Sequence, residues 1–223
     1  MEDVRDRIGE LIGMLEKNKI RYTWGVVSHL FLENCNGHND YPDMGWLARD
    51  PGTGMDKDPL WYAPDLMNRL LKNNFEIGCH SFSHPIFNRI EESQARYELK
   101  KSEELASALG VKLESFIFPG NEEGCKKILS EFGYKAYRSR GRVNSRSKIS
   151  KAFGYFLATN SPEPEVLIID EYGMVAIPQS AYLGMYATGI IWILCKASLR
   201  NTLREHLKIG LKKTVDEGGV FHA

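Results

Sequence analysis

Four short apolar runs constrain this chain most. They are "IRYTWGVV" (20–27), "FEIGCH" (75–80), "LESFIFPG" (113–120) and "YKAYRS" (134–139), and helix-patterned sequence separates them. Each run is apolar on consecutive positions, the pattern of strands covered on both faces. Between them lie "APDLMNRLLKNN" (63–74), "IEESQARYELKKSEELASALG" (90–110, closed by Gly110) and "EEGCKKILSEFG" (ending at Gly133). Ahead of them, Val4, Ile8, Leu11, Ile12 and Leu15 recur at helical spacing over residues 2–18. Strand–helix alternation predicts a parallel sheet with covering helices, an α/β fold. Further on, "GMVAIPQS" (173–180) reads as a strand, residues 198–218 as a long helix and "GGVFHA" (218–223) as a last strand. Polar residues collect just past strand ends, at Ser28 and His29, His80 to His84, Gly120 and Asn121, and Gln179 and Ser180. In α/β sheets that carboxyl edge carries the chemistry.

Composition excludes several partners. Lys plus Arg and Asp plus Glu are equal at 29 each, so the neutral chain offers no electrostatic case for nucleic acid or an anionic membrane. The basic run 138–148 reads as a solvated loop. The apolar run "GIIWILCKASL" is too short to span a bilayer, and the charged N-terminus has no secretory hydrophobic region, so a cytoplasmic location is expected. Cys35, Cys79, Cys125 and Cys195 form no CxxC and read as reduced thiols. With no internal repeat, residues 1–223 are expected to form one domain.

Two stretches carry candidate chemistry. In "EIGCHSFSHPIF" (76–87), His80 and His84 lie four apart just past a strand, with Ser81 and Ser83 beside them. Two imidazoles on rigid backbone make half a divalent-metal site; the other reading is a serine-capped polar turn. The loop 34–60 is rich in Gly, Pro, Asn and Asp and unusually long for a compact domain. Its Asp40, Asp43, Asp50, Asp56 and Asp58 read as solvated turn formers. His29 and His38 read as satisfied or exposed side chains, and His206 as surface. Trp46, Trp61 and Tyr62 form either a sugar-stacking platform or part of the packed interior. Asn121, after Pro119, is either a substrate contact or the cap of the following helix.

"EIGCHSFSHPIF" resembles the histidine motif of the polysaccharide deacetylase (NodB-homology) family, His-Ser/Thr-x-x-His, in which both histidines are metal ligands. "RYTWGVVSHLF" (21–31), "SFIFPGNEEG" (115–124), "VAIPQS" (175–180) and "GGVFHA" resemble other family segments, in the family's order. The resemblance implies a distorted (β/α) barrel of about seven strands, incomplete at both ends. It implies a hydrolase removing N-acetyl or O-acetyl groups from a sugar or polysaccharide. It also implies a divalent cofactor, Zn²⁺ with Co²⁺ or a similar ion as alternatives. His80 and His84 then match the metal ligands, and Asn121, Trp61, Tyr62 and Pro119 become the candidate substrate contacts. Three departures follow. The family's first-strand aspartate pair has no counterpart before the first helix, and Gly120 stands where a family variant has Arg. His222 matches only the first histidine of the family's closing motif, which leaves it a weak catalytic candidate. Impaired turnover is the expectation, and a non-catalytic carbohydrate-binding or vestigial domain is the alternative.

Overall fold

The computed structural model describes residues 2–38, 46–140, 164–179, 205 and 207–221, with backbone only for Glu2, Asp3 and Trp46. His222, Asp40, Asp43, His206 and most of the basic run lie outside them. The α/β class expected from the sequence is observed. The chain divides into two compact units, Met1–Tyr137 with Tyr172–Met174, and Arg138–Glu171 with Val175–Ala223.

In the first unit, helix α1 (Glu2–Lys17) precedes strand β1 (Thr23–Val26). Helix α2 (Pro64–Lys72), strand β2 (Glu76–Cys79), helix α3 (Glu92–Ala108), strand β3 (Ser115–Ile117), helix α4 (Lys126–Glu131) and strand β4 (Ala136–Ser139) follow in order. The strands lie in the order β1-β2-β3-β4. β1 and β2 are parallel in the register Thr23↔Glu76 to Val26↔Cys79, and β2 pairs parallel with β3. This is the repeating strand–helix–strand element of a (β/α) barrel.

The second unit holds the end of β4 and the strands β5 (Ile168–Ile169) and β6 (Val175–Pro178), which pair antiparallel. Sequence reading missed β5, which is two residues long and exposed on both faces. The expected final strand amounts, among the described residues, to a single bridge from Val220 to Glu165. The helix over residues 207–217 packs closely enough on Phe221 that a side chain at Gly210 would strike its ring.

Aromatic packing fills the core of the first unit. The Phe87, Phe116 and Phe118 rings sit 4.9 to 6.0 Å apart, with Tyr134 and Tyr137 closing the group. All five are nearly or fully buried, which makes this group the main apolar term holding β3 on its neighbours. From α3, Ala95, Leu99 and Ala106 face inward. β1 departs from expectation: Thr23 and Gly25 are exposed, so this strand is covered on one side only.

The β1–β2 ladder continues past both strands and determines where the candidate sites lie. His80 N–H donates to Val26 O, Ser28 N–H to Ser81 O and His29 N–H to Phe82 O. The segments 26–29 and 80–82 therefore run side by side at the carboxyl edge. The "FPGN" turn (118–121) leaves β3 at the same edge.

Candidate functional sites

The segment after β2 is tightly wound. Ser81 and His84 both have left-handed backbone, φ +64° and +65°, a conformation costly for residues other than glycine. Hydrogen bonds hold it there. Ser81 Oγ accepts the His84 N–H at 2.8 Å. Behind the loop, the fully buried Glu98 of α3 accepts the Phe82 and Ser83 N–H groups at 2.7 and 2.8 Å and also bonds the Ser83 hydroxyl. Burial raises the Glu98 pKa to about 7, against the lowering effect of the two N–H donors.

The His80 and His84 rings meet edge to face at 4.7 Å. The Ile117 carbonyl, which can only accept, is 2.6 Å from His80 Nδ1, so the proton sits on Nδ1 and the lone pair on Nε2. His84 is exposed overall, yet the atoms packed around its ring lower its pKa and favour the neutral, ligating form. The residues present thus suit a divalent cation.

The other candidates separate. Tyr62 corrects the sugar-platform reading: it has 0% exposure, so no sugar can stack on its ring. Trp61 is half-buried and Pro119 is buried, while Asn121 is half-buried in a 3₁₀ turn at φ +55°. Asn121 does not cap α4, which starts five residues later behind Cys125. Gly120 has φ +64°, and a Cβ there would lie 2.9 Å from Ile86 Cδ1, so an arginine here would strain the backbone and displace the Ile86 tip.

A second cluster forms where the long loop folds back. Asn34 bridges Gly54, Cys35 N–H donates to Thr53 O and Met55 N–H to Glu33 O, and these bonds carry Cys35 towards Asp50. His29 is held in a buried 3₁₀ turn (Ser28–Phe31) just past β1. The side chains of His29, Cys35, His38 and Asp50 bring their ligand-type atoms within 4.8 Å of one another. Among the described residues this is the group of three or more His, Cys, Asp or Glu side chains that converges in this way. Asp50 Oδ2 is 3.0 Å from His29 Nε2, 3.0 Å from His38 Nε2 and 2.9 Å from Cys35 Sγ. Asp50 Oδ1 accepts the Tyr62 hydroxyl at 2.6 Å and the Gly52 N–H at 3.1 Å. Burial pushes the Asp50 pKa upward, but bonds from Cys35, Tyr62 and Gly52 with the His29 charge outweigh it and hold the carboxyl at about 2. Burial and the neighbouring carboxylate push the Cys35 thiol up. Burial lowers His29, partly offset by Asp50.

Reading Asp50 as a solvated turn former is therefore corrected: its side chain is 1% exposed. Cys35 is likewise not an isolated thiol. The overlooked signal was Cys35-x2-His38, a ligand spacing that a search for CxxC passes over.

A sequence model of the family described as Polysaccharide deacetylase matches residues 3–137. No curated protein sequence matches significantly. Among solved structures, the chain is similar to one from Mycobacterium smegmatis described as a polysaccharide deacetylase. The two are 15% identical with TM-score 0.49, over 89% of this chain and 60% of that one. The deacetylase PplD of Streptococcus pyogenes, in complex with acetate, is 14% identical with TM-score 0.44, over 61% and 51% of the two chains. A wild-type CE4 family pseudoenzyme of Bacillus anthracis is 11% identical with TM-score 0.42, over 92% and 57%. The chain thus spans about 60% of the length of the first of these relatives. No described helix is long and apolar enough to cross a membrane.

Proposed function

Because the chain belongs to the polysaccharide deacetylase family, we propose that it acts on an acetylated sugar or polysaccharide as a metal-dependent deacetylase, with residues 1–223 working as one deacetylase-like domain. His80 and His84 are the metal ligands. The observation that carries this reading is the Nδ1–H bond from His80 to Ile117 O, which puts the ring's lone pair on Nε2, with the His84 ring 4.7 Å away. A divalent cation, zinc in the first instance, would supply a bound water of low pKa and polarise an acetyl carbonyl.

The chain's own residues do the positioning. Ile117 O fixes the His80 tautomer, Ser81 Oγ fixes the His84 backbone, and Glu98 ties down the two residues between them. Trp61 and Asn121 are the remaining substrate contacts, with Pro119 shaping the turn that presents Asn121. Turnover is low, because no described residue matches the family's aspartate pair. A base and an acid are each typically worth ~10²- to 10⁴-fold.

The test is acetate release from acetylated chito-oligosaccharides with added Zn²⁺ or Co²⁺, the His80→Ala protein serving as the blank. Slow release that disappears in the blank is expected. Release equal in both proteins would overturn the reading. A non-catalytic, carbohydrate-binding role is the second reading, favoured because no third His, Cys, Asp or Glu joins His80 and His84 in a converging group among the described residues. Sugar binding without any release would select it.

A further inference from the structure

We propose that His29, Cys35, His38 and Asp50 form a closed structural zinc site, separate from the His80/His84 pair, that staples the stretches at residues 35–38 and at Asp50 to the carboxyl end of β1. Four features of the cluster carry this.

The first is the division of labour within Asp50. Oδ1 is engaged by the Tyr62 hydroxyl and the Gly52 N–H, while Oδ2 faces two imidazole nitrogens and a sulfur. One oxygen is held by supporting hydrogen bonds and the other is left to ligate, as in metal-bound carboxylates.

The second is the tautomer of His29. Its Nδ1 lies 3.2 Å from Trp61 O, an acceptor, so the proton sits on Nδ1 and the lone pair on Nε2. That lone pair points at the Asp50 carboxylate and at His38 Nε2, 2.9 Å away. His29 Nε2, His38 Nε2 and Asp50 Oδ2 thus form a triangle with sides of 2.9, 3.0 and 3.0 Å. Hydrogen bonds alone would need one His38 N–H shared between His29 Nε2 and Asp50 Oδ2 while those two acceptors face each other at 3.0 Å. A single cation satisfies all three atoms and the sulfur.

The third is the turn that carries the sulfur. Gly37, between Cys35 and His38, has φ +93° with open space where a side chain would stand. The turn brings Cys35 and His38, three positions apart, to one point.

The fourth is the donor set. One thiolate, two imidazoles and one carboxylate on buried to half-buried residues suit zinc over calcium or magnesium, which take oxygen ligands. Zinc arms of ~2.0–2.3 Å in a tetrahedron separate ligands by ~3.3–3.7 Å. The observed 2.9–3.0 Å contacts open by a few tenths of an ångström, and the sulfur–imidazole separations, all within 4.8 Å, adjust to the same range. Four protein ligands leave no open position, which makes the site structural.

The experiment uses the full chain carrying His80→Ala and His84→Ala, so that metal at that pair cannot contribute. After dialysis against a weak chelator this protein should retain about one equivalent of zinc per chain. Replaced by Co²⁺, the site should show a thiolate-to-cobalt charge-transfer band with tetrahedral d–d bands. Adding Cys35→Ser should remove the charge-transfer band. Adding Cys35→His instead should retain cobalt and the d–d bands without charge transfer, which separates loss of a sulfur ligand from loss of the fold. No retained metal in the folded double variant would overturn the site, and so would a charge-transfer band that survives Cys35→Ser. Acetate release plays no part in these readouts, so the outcome is independent of the deacetylase reading.

Discussion

The two histidine clusters occupy one edge of one sheet and are built in opposite ways. His80 and His84 sit in a five-residue motif on a wound turn, with His84 exposed and the pair's supporting bonds coming from backbone and serine. His29, Cys35, His38 and Asp50 come from two separate stretches, and His29 and Asp50 are sealed off at 0% and 1% side-chain exposure. Phe82 lies between the clusters, 5.7 Å from the His29 ring and 5.6 Å from the His38 ring, with Leu47 packed on it. An open pair leaves room for water and substrate, whereas a closed set of four holds a loop. The first cluster should therefore matter for binding and turnover, and the second for stability.

The sharpest way to break that contrast is to delete one member of each. Asp50→Ala removes the acceptor shared by His29, His38 and Cys35 and leaves the Tyr62 hydroxyl and Gly52 N–H without their partner. Removing one partner of a buried charged network typically costs ~3–5 kcal/mol. His84→Ala should cost less than ~0.5 kcal/mol, as surface changes usually do. Urea unfolding of both variants decides the matter. Equal midpoints would mean that the closed cluster holds nothing together.

Glu98 tests whether the open pair also has a buried foundation. Its folded pKa is raised from 4.5 to about 7. The folded chain therefore holds this proton more tightly than the unfolded chain. Glu98 makes no difference below pH 4.5, costs stability as pH rises from there through about 7, and the loss is complete above that. The span corresponds to ~3 kcal/mol at 1.36 kcal/mol per pKa unit. Glu98→Gln, which keeps an acceptor for the Phe82 and Ser83 N–H groups, should remove most of that slope. Denaturant midpoints from pH 4.5 to 8 in the two proteins provide the comparison, and parallel curves would count against a buried acid.

Tyr62→Phe gives a smaller effect on the closed cluster. It deletes a hydroxyl that donates to Asp50 Oδ1 and accepts the Thr53 N–H at 3.1 Å, and keeps the buried ring. Leaving such groups unpaired costs ~1–3 kcal/mol. Thermal melts should show Tyr62→Phe between Asp50→Ala and His84→Ala, and a loss as large as that of Asp50→Ala would make the Tyr62 hydroxyl, not the histidine and cysteine partners of Asp50, the main support of the cluster.

How far the sequence could be read differs between the clusters for the same physical reason. The strand–helix order from residue 2 to residue 139 was legible because burial repeats at fixed spacing. His80 and His84 were legible because both ligands lie in one short turn after a strand. The closed cluster was hidden because its members are 21 residues apart and meet only after the loop folds back on itself. His29 and His38 were visible as histidines, but nothing local announces that Asp50 is buried or that the Tyr62 hydroxyl points at it. β5 was invisible for another reason: two exposed residues carry no periodicity. The mistaken capping role for Asn121 came from reading "PGNEE" as a helix start, whereas Asn121 takes a left-handed backbone inside a 3₁₀ turn.

The smallest expected effect on stability is also the cleanest separation of the two roles. His84 sits at φ +65°, where an L-residue pays ~1–2 kcal/mol that glycine does not. Glycine loses ~0.5–1 kcal/mol through the extra freedom of the unfolded chain. It also gives up the edge-to-face contact with His80, a ring contact worth ~0.5–1.5 kcal/mol at most and less at an exposed position. These terms nearly cancel, so His84→Gly should melt within a few degrees of the wild type, since ~1 kcal/mol moves a domain of this size by ~2–4 °C. Calorimetry with Zn²⁺ should nevertheless lose the binding event assigned to the pair, while zinc held by the closed cluster stays. A histidine kept in a backbone conformation that glycine would occupy more comfortably is a residue retained for its imidazole. If His84→Gly instead lowers the melting temperature as much as Asp50→Ala does, the wound turn is a structural element of the sheet edge, and the division between an open working pair and a closed staple fails.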